Sequence, residues 1–158
     1  MQCHEQPPDR KPSLMNTNEP QTPAWQPIAA LPVILDLAGA QIEEVQATFD
    51  ALTRCRSRPH VLDDATLART RQVYGEQRDF LPIQREQVTR WRSGPLTPQE
   101  REELAHLSAR IERLAALLDD ILALTDELSH GTIDRILGMS DADLAAAVLS
   151  GSLRLPQR

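Results

Sequence analysis

The sequence predicts an all-α protein: a long, coiled-coil-like antiparallel helical hairpin, preceded by an amphipathic helix and a Pro-rich arm and followed by a short helical pair. Three observations predict it. Apolar residues recur at alternating spacings of three and four over most of the chain. Only five of 158 residues are aromatic (Trp25, Phe49, Tyr74, Phe80, Trp91) and six are glycine, too few for the aromatic strands and glycine turns of β-rich folds. The balance of 41% hydrophobic and 25% charged residues is that of one ordinary domain with a tail, which argues against a multidomain enzyme.

Residues 1–33 read as a disordered arm and 34–158 as the helical domain. Seven of the twelve prolines lie between Pro7 and Pro32 among polar residues; each fixes φ and removes a helix donor. Met15 offers an alternative start. Within the arm, Trp25 and the run Ile28–Leu35 are apolar and are expected to dock, on the chain's own domain or on a partner. The arm lacks the basic start and apolar core of a secretion signal, and no run of about 18 apolar residues occurs, so membrane spanning is not expected. Cys3 and Cys55 are too few for a disulfide scaffold, which suits a reducing cytoplasm. Sixteen of the seventeen basic residues are arginine, the usage of a GC-rich bacterial genome.

From Asp36 onward Ala38, Ile42, Val45, Phe49 and Leu52 form one stripe, predicting a helix over about 37–54. It ends in the basic stretch before Pro59, where a pre-proline residue disfavours helix. Asp63 or Asp64 can cap a second helix over about 64–92, with apolar positions Leu67, Val73, Tyr74, Phe80, Leu81, Val88 and Trp91 and a kink or break expected near Pro82. Ser93-Gly94-Pro95 then breaks the chain. Thr97-Pro98-Gln99-Glu100 supplies a capping hydroxyl, a proline at the first helical position and a glutamate that reaches back to the cap amide.

The third helix runs to Gly131. Leu104, Leu107, Ile111, Leu114, Leu118, Ile121, Thr125 and Leu128 keep a 3.5-residue period through four heptads, with Thr125 the one polar position. Such a seam needs a neighbour along its length, and the second helix, one short turn away, is the economical partner, giving a hairpin over 64–130. Leu117, Leu122 and Leu124 widen the stripe, so the first helix, the C-terminal pair (132–138 and 141–150) or a second copy of the chain must cover that half. Ser140 and Asp143 form another cap signature.

The net charge of −6 disfavours wholesale coating of nucleic acid or anionic membrane. Charge is nevertheless patterned. Arg71, Arg78, Arg85 and Arg92 recur once per heptad, about 10 Å apart, along one edge of the second helix. Glu112, Asp119, Asp126, Asp120 and Glu127 fall opposite the seam of the third, and are expected out of reach of that row within one hairpin; only Glu100 and Glu103 are expected to approach Arg90 or Arg92. The row is read as a solvated edge with local pairs such as Glu86 to Arg90, as a surface for the acidic face of another copy, or, with Arg54, Arg56 and Arg58, as a phosphate-binding edge. Thr132–Leu149 has the apolar spacing of a helix-turn-helix, but its second helix offers acids and alanines where base-reading side chains are needed.

No HExxH, glycine-rich phosphate loop or GxSxG turn occurs, and Cys55 with His60 supplies two ligands where zinc needs three or four. Asp119 and Asp120 diverge by about 100° on a helix and cannot serve one substrate. The functional expectation is a non-enzymatic scaffold or adaptor acting through coiled-coil contacts, without cofactor, metal or membrane, whose partner is another protein or itself. Trp25, Leu104, Ile111, Leu118 and Ile121 are the candidate partner-binding residues, the last four equally suited to core packing. A nucleic-acid accessory factor using the arginine edge is the alternative, and a small enzyme the remotest.

Overall fold

A computed structural model describes residues 23–151. The described residues enter through a short 3-10 turn, Ile28–Ala30, and among them are five helices: α1 (Leu31–Cys55), α2 (Asp64–Arg92), α3 (Pro98–Leu128), α4 (Ile133–Leu137) and α5 (Asp141–Leu149). A second 3-10 turn, Pro59–Val61, sits between α1 and α2. No strand occurs among the described residues.

The expected caps are formed. Asp63 accepts from the Thr66 amide, and Thr97 and Glu100 make a complete capping box, with the Glu100 amide donating to Thr97 Oγ1 at 3.2 Å and the Thr97 amide to Glu100 Oε2 at 2.7 Å. Ser140 accepts from the Asp143 amide at the start of α5. Each pairing satisfies donors that the first helical turn leaves without intrahelical partners.

One boundary differs from the sequence expectation. α1 begins at Leu31 rather than near 37, because Pro32 falls in its first turn, where the missing N–H costs nothing and the fixed φ is already helical. Leu31 is fully buried, and Ile28 packs against the core, so the chain is structured well before residue 34. The rest of the expected arm, residues 1–22, lies outside the described residues. α2 has the expected bounds, and of the kink or break expected near Pro82 the break does not occur: the helix is continuous, the ring is exposed, and Leu81 and Val88 are buried on either side.

α3 is the spine of the molecule. α1 and α2 each pack along it and touch one another far less. Two contacts show α1 and α3 to be parallel. Arg110 donates to the Leu35 carbonyl near the start of α1, and Arg56, just past its end, pairs with Glu127 at 2.8 Å. α2 runs antiparallel to both, giving an up-down-up three-helix bundle. All eight seam positions of α3 are buried, together with Leu124, and Thr125 satisfies its hydroxyl on the Ile121 carbonyl at 2.7 Å. Of the possible covers for the widened half of the stripe, α1 is the one laid along α3, while α4 docks on the Pro59–Val61 turn.

The base of the bundle is tied by polar contacts. Thr132, fully buried, donates to Asp64 Oδ1 at 2.6 Å; the Asp64 amide donates to Asp134 Oδ2 at 2.8 Å; and the Ile133 amide donates to the Leu62 carbonyl at 3.0 Å. These bonds fix α4 at the N-terminus of α2. α5 follows after Gly138-Met139-Ser140 and is not packed along any other described helix.

Candidate functional site

The core residues come first, because they decide which surfaces remain. Leu104, Ile111, Leu118 and Ile121 are at most 3% exposed and lie inside the chain's own bundle. They are core, and of the four only Ile111 also borders the groove described below. Trp25 docks on its own domain as well. The Arg90 guanidinium lies 4.2 Å from its ring centroid, a cation–π arrangement. The peptide groups of Gln26 are clamped by α2: its amide donates to Gln87 Oε1 at 2.7 Å, and its carbonyl accepts from Trp91 Nε1 at 2.8 Å and Gln87 Nε2 at 3.1 Å.

The arginine row corrects the sequence expectation. Asp126, Asp119 and Glu112 are within reach of it: Arg71 pairs with Asp126, Arg78 with Asp119 and Arg85 with Glu112, the last through two bonds of 2.9 and 2.8 Å. Residue numbers rise by seven along α2 as they fall by seven along α3, the signature of an antiparallel ladder. The next rung would meet Ala105, and Arg92 bonds the Ser108 hydroxyl instead, at 2.6 Å. The physical reason lies in how α3 shares its apolar face. With α1 on one flank, α2 is displaced to the other, so positions one residue after the seam (112, 119, 126) become neighbours of the α2 arginines rather than the far side. Arg56 is likewise engaged, by Glu127, while Arg54 and Arg58 are exposed. Glu86 and Arg90 form the expected pair at 3.0 Å.

The ladder is electrostatically coherent and shallow. Hydrogen bonds from Arg85 hold the Glu112 carboxyl below its usual range, and those from Arg56 do the same to Glu127; both arginines are raised in turn by their acids. Asp63 is lowered by its bonds from Thr66 and Glu100 by those from Thr97. These groups lie at the surface, so solvent and salt screen them. Their effect on function is subtractive, because three of the four row guanidiniums already face carboxylates.

What the bundle leaves open is an apolar groove. Since α1 and α2 both lean on α3, a cleft of about 350 Å³ runs between them, walled by Trp25, Ile34, Leu37, Phe80 and Ile83 and floored by Leu107 and Ile111 of α3. Four glutamines, Gln26, Gln41, Gln84 and Gln87, line it as well, with no charged side chain among the described lining residues. Gln41 is bonded across to Gln77, and below that the Tyr74 hydroxyl bonds Thr48, so the two helices are bridged where the cleft narrows. Leu37 is 64% exposed and Phe80 51%, and Val73 continues the apolar strip past Gln41.

Val73 and Phe80 were expected with Tyr74 and Leu81 on the buried face; they stand outside it. The signal was present in the sequence as two adjacent apolar lanes, 73/80 and 74/81, one residue or about 100° apart. One helix–helix contact buries one lane, and the second is left for something else. Leu37 on α1 is displaced in the same sense from the stripe that begins at Ala38.

Among the described residues, no three His, Cys, Asp or Glu side chains are placed to hold a metal ion, and no helix is long and apolar enough to cross a membrane. Cys55 ends α1, its thiol directed to the Ala51 carbonyl at 3.5 Å. Comparison with protein-family models, curated proteins and solved structures finds no match to this chain.

Proposed function

We propose that this protein is a non-enzymatic helical adaptor whose working surface is the α1–α2 groove. The observation that carries the reading is the groove itself: large apolar side chains, Leu37 and Phe80 foremost, stand exposed around a cleft on a bundle whose α3 seam is fully consumed in its core. A channel of this kind, apolar along its length and rimmed by amides, suits the apolar face of an amphipathic helix, read at i, i+3, i+4 and i+7. The neutral rim disfavours a phosphate or nucleic-acid ligand there, and the paired arginine ladder weakens the alternative of a basic edge.

The test is site-directed photocrosslinking in the native cell, with a benzophenone amino acid at position 80 and, as control, at position 109 on the exposed face of α3. Expected is a discrete protein adduct from position 80 that Leu37→Glu removes and that position 109 does not give. Equal labelling from both positions, or adducts indifferent to Leu37→Glu, would contradict the reading.

A further inference from the structure

Among the described residues a second apolar surface stands without a cover, and it is helical. α5 turns Leu144, Ala145, Val148 and Leu149 to one side, where they line a shallow open hollow with Asp141; Leu149 is 88% exposed. Its Ser140–Asp143 cap is well formed. A nine-residue helix is nonetheless marginal on its own, since so few turns do not repay nucleation without tertiary packing. We propose that α5 of one copy lies in the α1–α2 groove of a second copy, and that the exchange is reciprocal. This inference rests on the groove being a helix-binding surface, and it names the helix.

Three features of the structure point to this occupant. The first is size. α5 is about 13 Å long, and the groove between Phe80 and Gln87 extends about 11 Å along α2, or about 21 Å when the strip to Val73 is included. The second is chemistry: the α5 face offers four aliphatic side chains with one acid, Asp141, at its N-terminal end, and the groove lining offers aromatic and aliphatic walls and neutral glutamine amides. Both acids of α5 sit in its first turn, Asp141 at the head of the stripe and Asp143 off it, so the rest of the stripe is uncharged.

The third feature is reach. α4 is pinned at the N-terminus of α2, whereas the centre of the groove lies at residues 80–84, about 27 Å along that helix. Beyond its pinned Asp134, α4 adds about 5 Å, the Gly138–Ser140 linker spans at most about 14 Å fully extended, and half of α5 adds about 7 Å. The chain therefore centres α5 in its own groove only with every segment straightened along α2, whereas Gly138 and Met139 are turned back on α4 by bonds to the Asp134 and Ile136 carbonyls; a second copy presents the same groove without that constraint. Two copies related by a twofold axis exchange two identical contacts, which closes the assembly at a dimer.

The experiment is molar mass by sedimentation across a dilution series of the full chain, from micromolar to millimolar, for wild type, Leu149→Glu, Phe80→Glu and an equimolar mixture of the two variants. Both substitutions fall on exposed side chains, and circular dichroism checks that the helices persist. Expected is a wild-type mass that climbs from 17.7 kDa toward twice that value, with each variant weakening association at least tenfold. The mixture should associate more strongly than either variant alone, because a Phe80→Glu chain still offers an intact α5 to the intact groove of a Leu149→Glu chain. A wild type that stays at one chain's mass throughout overturns the proposal and leaves the groove to a foreign helix, which the photocrosslinking judges separately. A dimer broken by Phe80→Glu and indifferent to Leu149→Glu overturns α5 as the occupant while retaining the groove. A dimer indifferent to both, or a mixture no stronger than its components, overturns the exchange.

Discussion

At the scale of single residues, the tightest and loosest points of the fold are marked by glycines. Gly131 closes α3 against the Pro59 ring, and a Cβ there would lie 2.7 Å from Pro59 Cγ, a rigid ring atom that cannot swing aside. Gly75 lies within α2, where a Cβ meets nothing within 4 Å. The two should respond to alanine with opposite sign. Gly75→Ala should stabilise by about 0.5–1 kcal/mol through helix propensity. Gly131→Ala should destabilise by about 1–3 kcal/mol, because the Pro59–Val61 turn must shift to admit a methyl group. Urea unfolding followed at 222 nm measures both. A further residue-scale feature, the cation–π contact of Arg90 with Trp25, binds the entering chain to α2 and completes one wall of the groove.

At the scale of elements, the helices were legible where their signals are local. Thr97, Pro98 and Glu100 lie within four residues of one another, and a cap depends on little else, so α3 begins where the sequence places it. The seam from Leu104 to Leu128 was equally plain, since a periodic apolar run must be buried by something. What could not be read was how that buried face is divided. Asp119 is opposite the seam if one neighbour covers α3 and beside Arg78 if two neighbours share it, and heptad counting on α3 alone does not distinguish these cases.

The resulting ladder has a pH signature. Glu112, Glu127, Asp63 and Glu100 are held below their ordinary ranges in the folded protein, so the stability they contribute is present above pH about 4–5 and is lost as pH falls through their folded values. The melting temperature should therefore be level between pH 7 and 5 and fall on further acidification. Arg85→Gln removes the bonds that hold Glu112 down, so its melting temperature should lie below wild type at pH 7 and converge on it at pH 3. Thermal scans at the two pH values check this, and a constant gap between the proteins would show that the Arg85–Glu112 bonds contribute nothing.

At the scale of the whole molecule, function depends on what the bundle does not cover. Three helices with one central spine bury the leucine seam completely, and the same arrangement keeps α1 and α2 apart, so an apolar cleft follows from the packing rather than from any one motif. That is why the candidate site was the least legible part of the sequence. Leu118 announces itself as apolar and proves to be core; Phe80 reads as core and proves to be surface. Both are apolar residues on periodic helices, and their fates are separated by which side of each helix faces α3. The same scale sets the significance of α5, a capped helix with an apolar stripe at the end of the bundle remote from the groove.

The most direct measurement is amide hydrogen exchange on the full chain at low micromolar and at near-millimolar concentration. The expected result is that exchange slows with concentration in two separated places together, Asp141–Leu149 and the groove segments 34–41 and 80–87, while α3 is protected equally at both concentrations. Exchange in α5 and the groove that is identical at the two concentrations, or a slowing confined to the arginine edge of α2, would contradict the claim that the cleft between α1 and α2 is the surface through which this protein acts on its own copies.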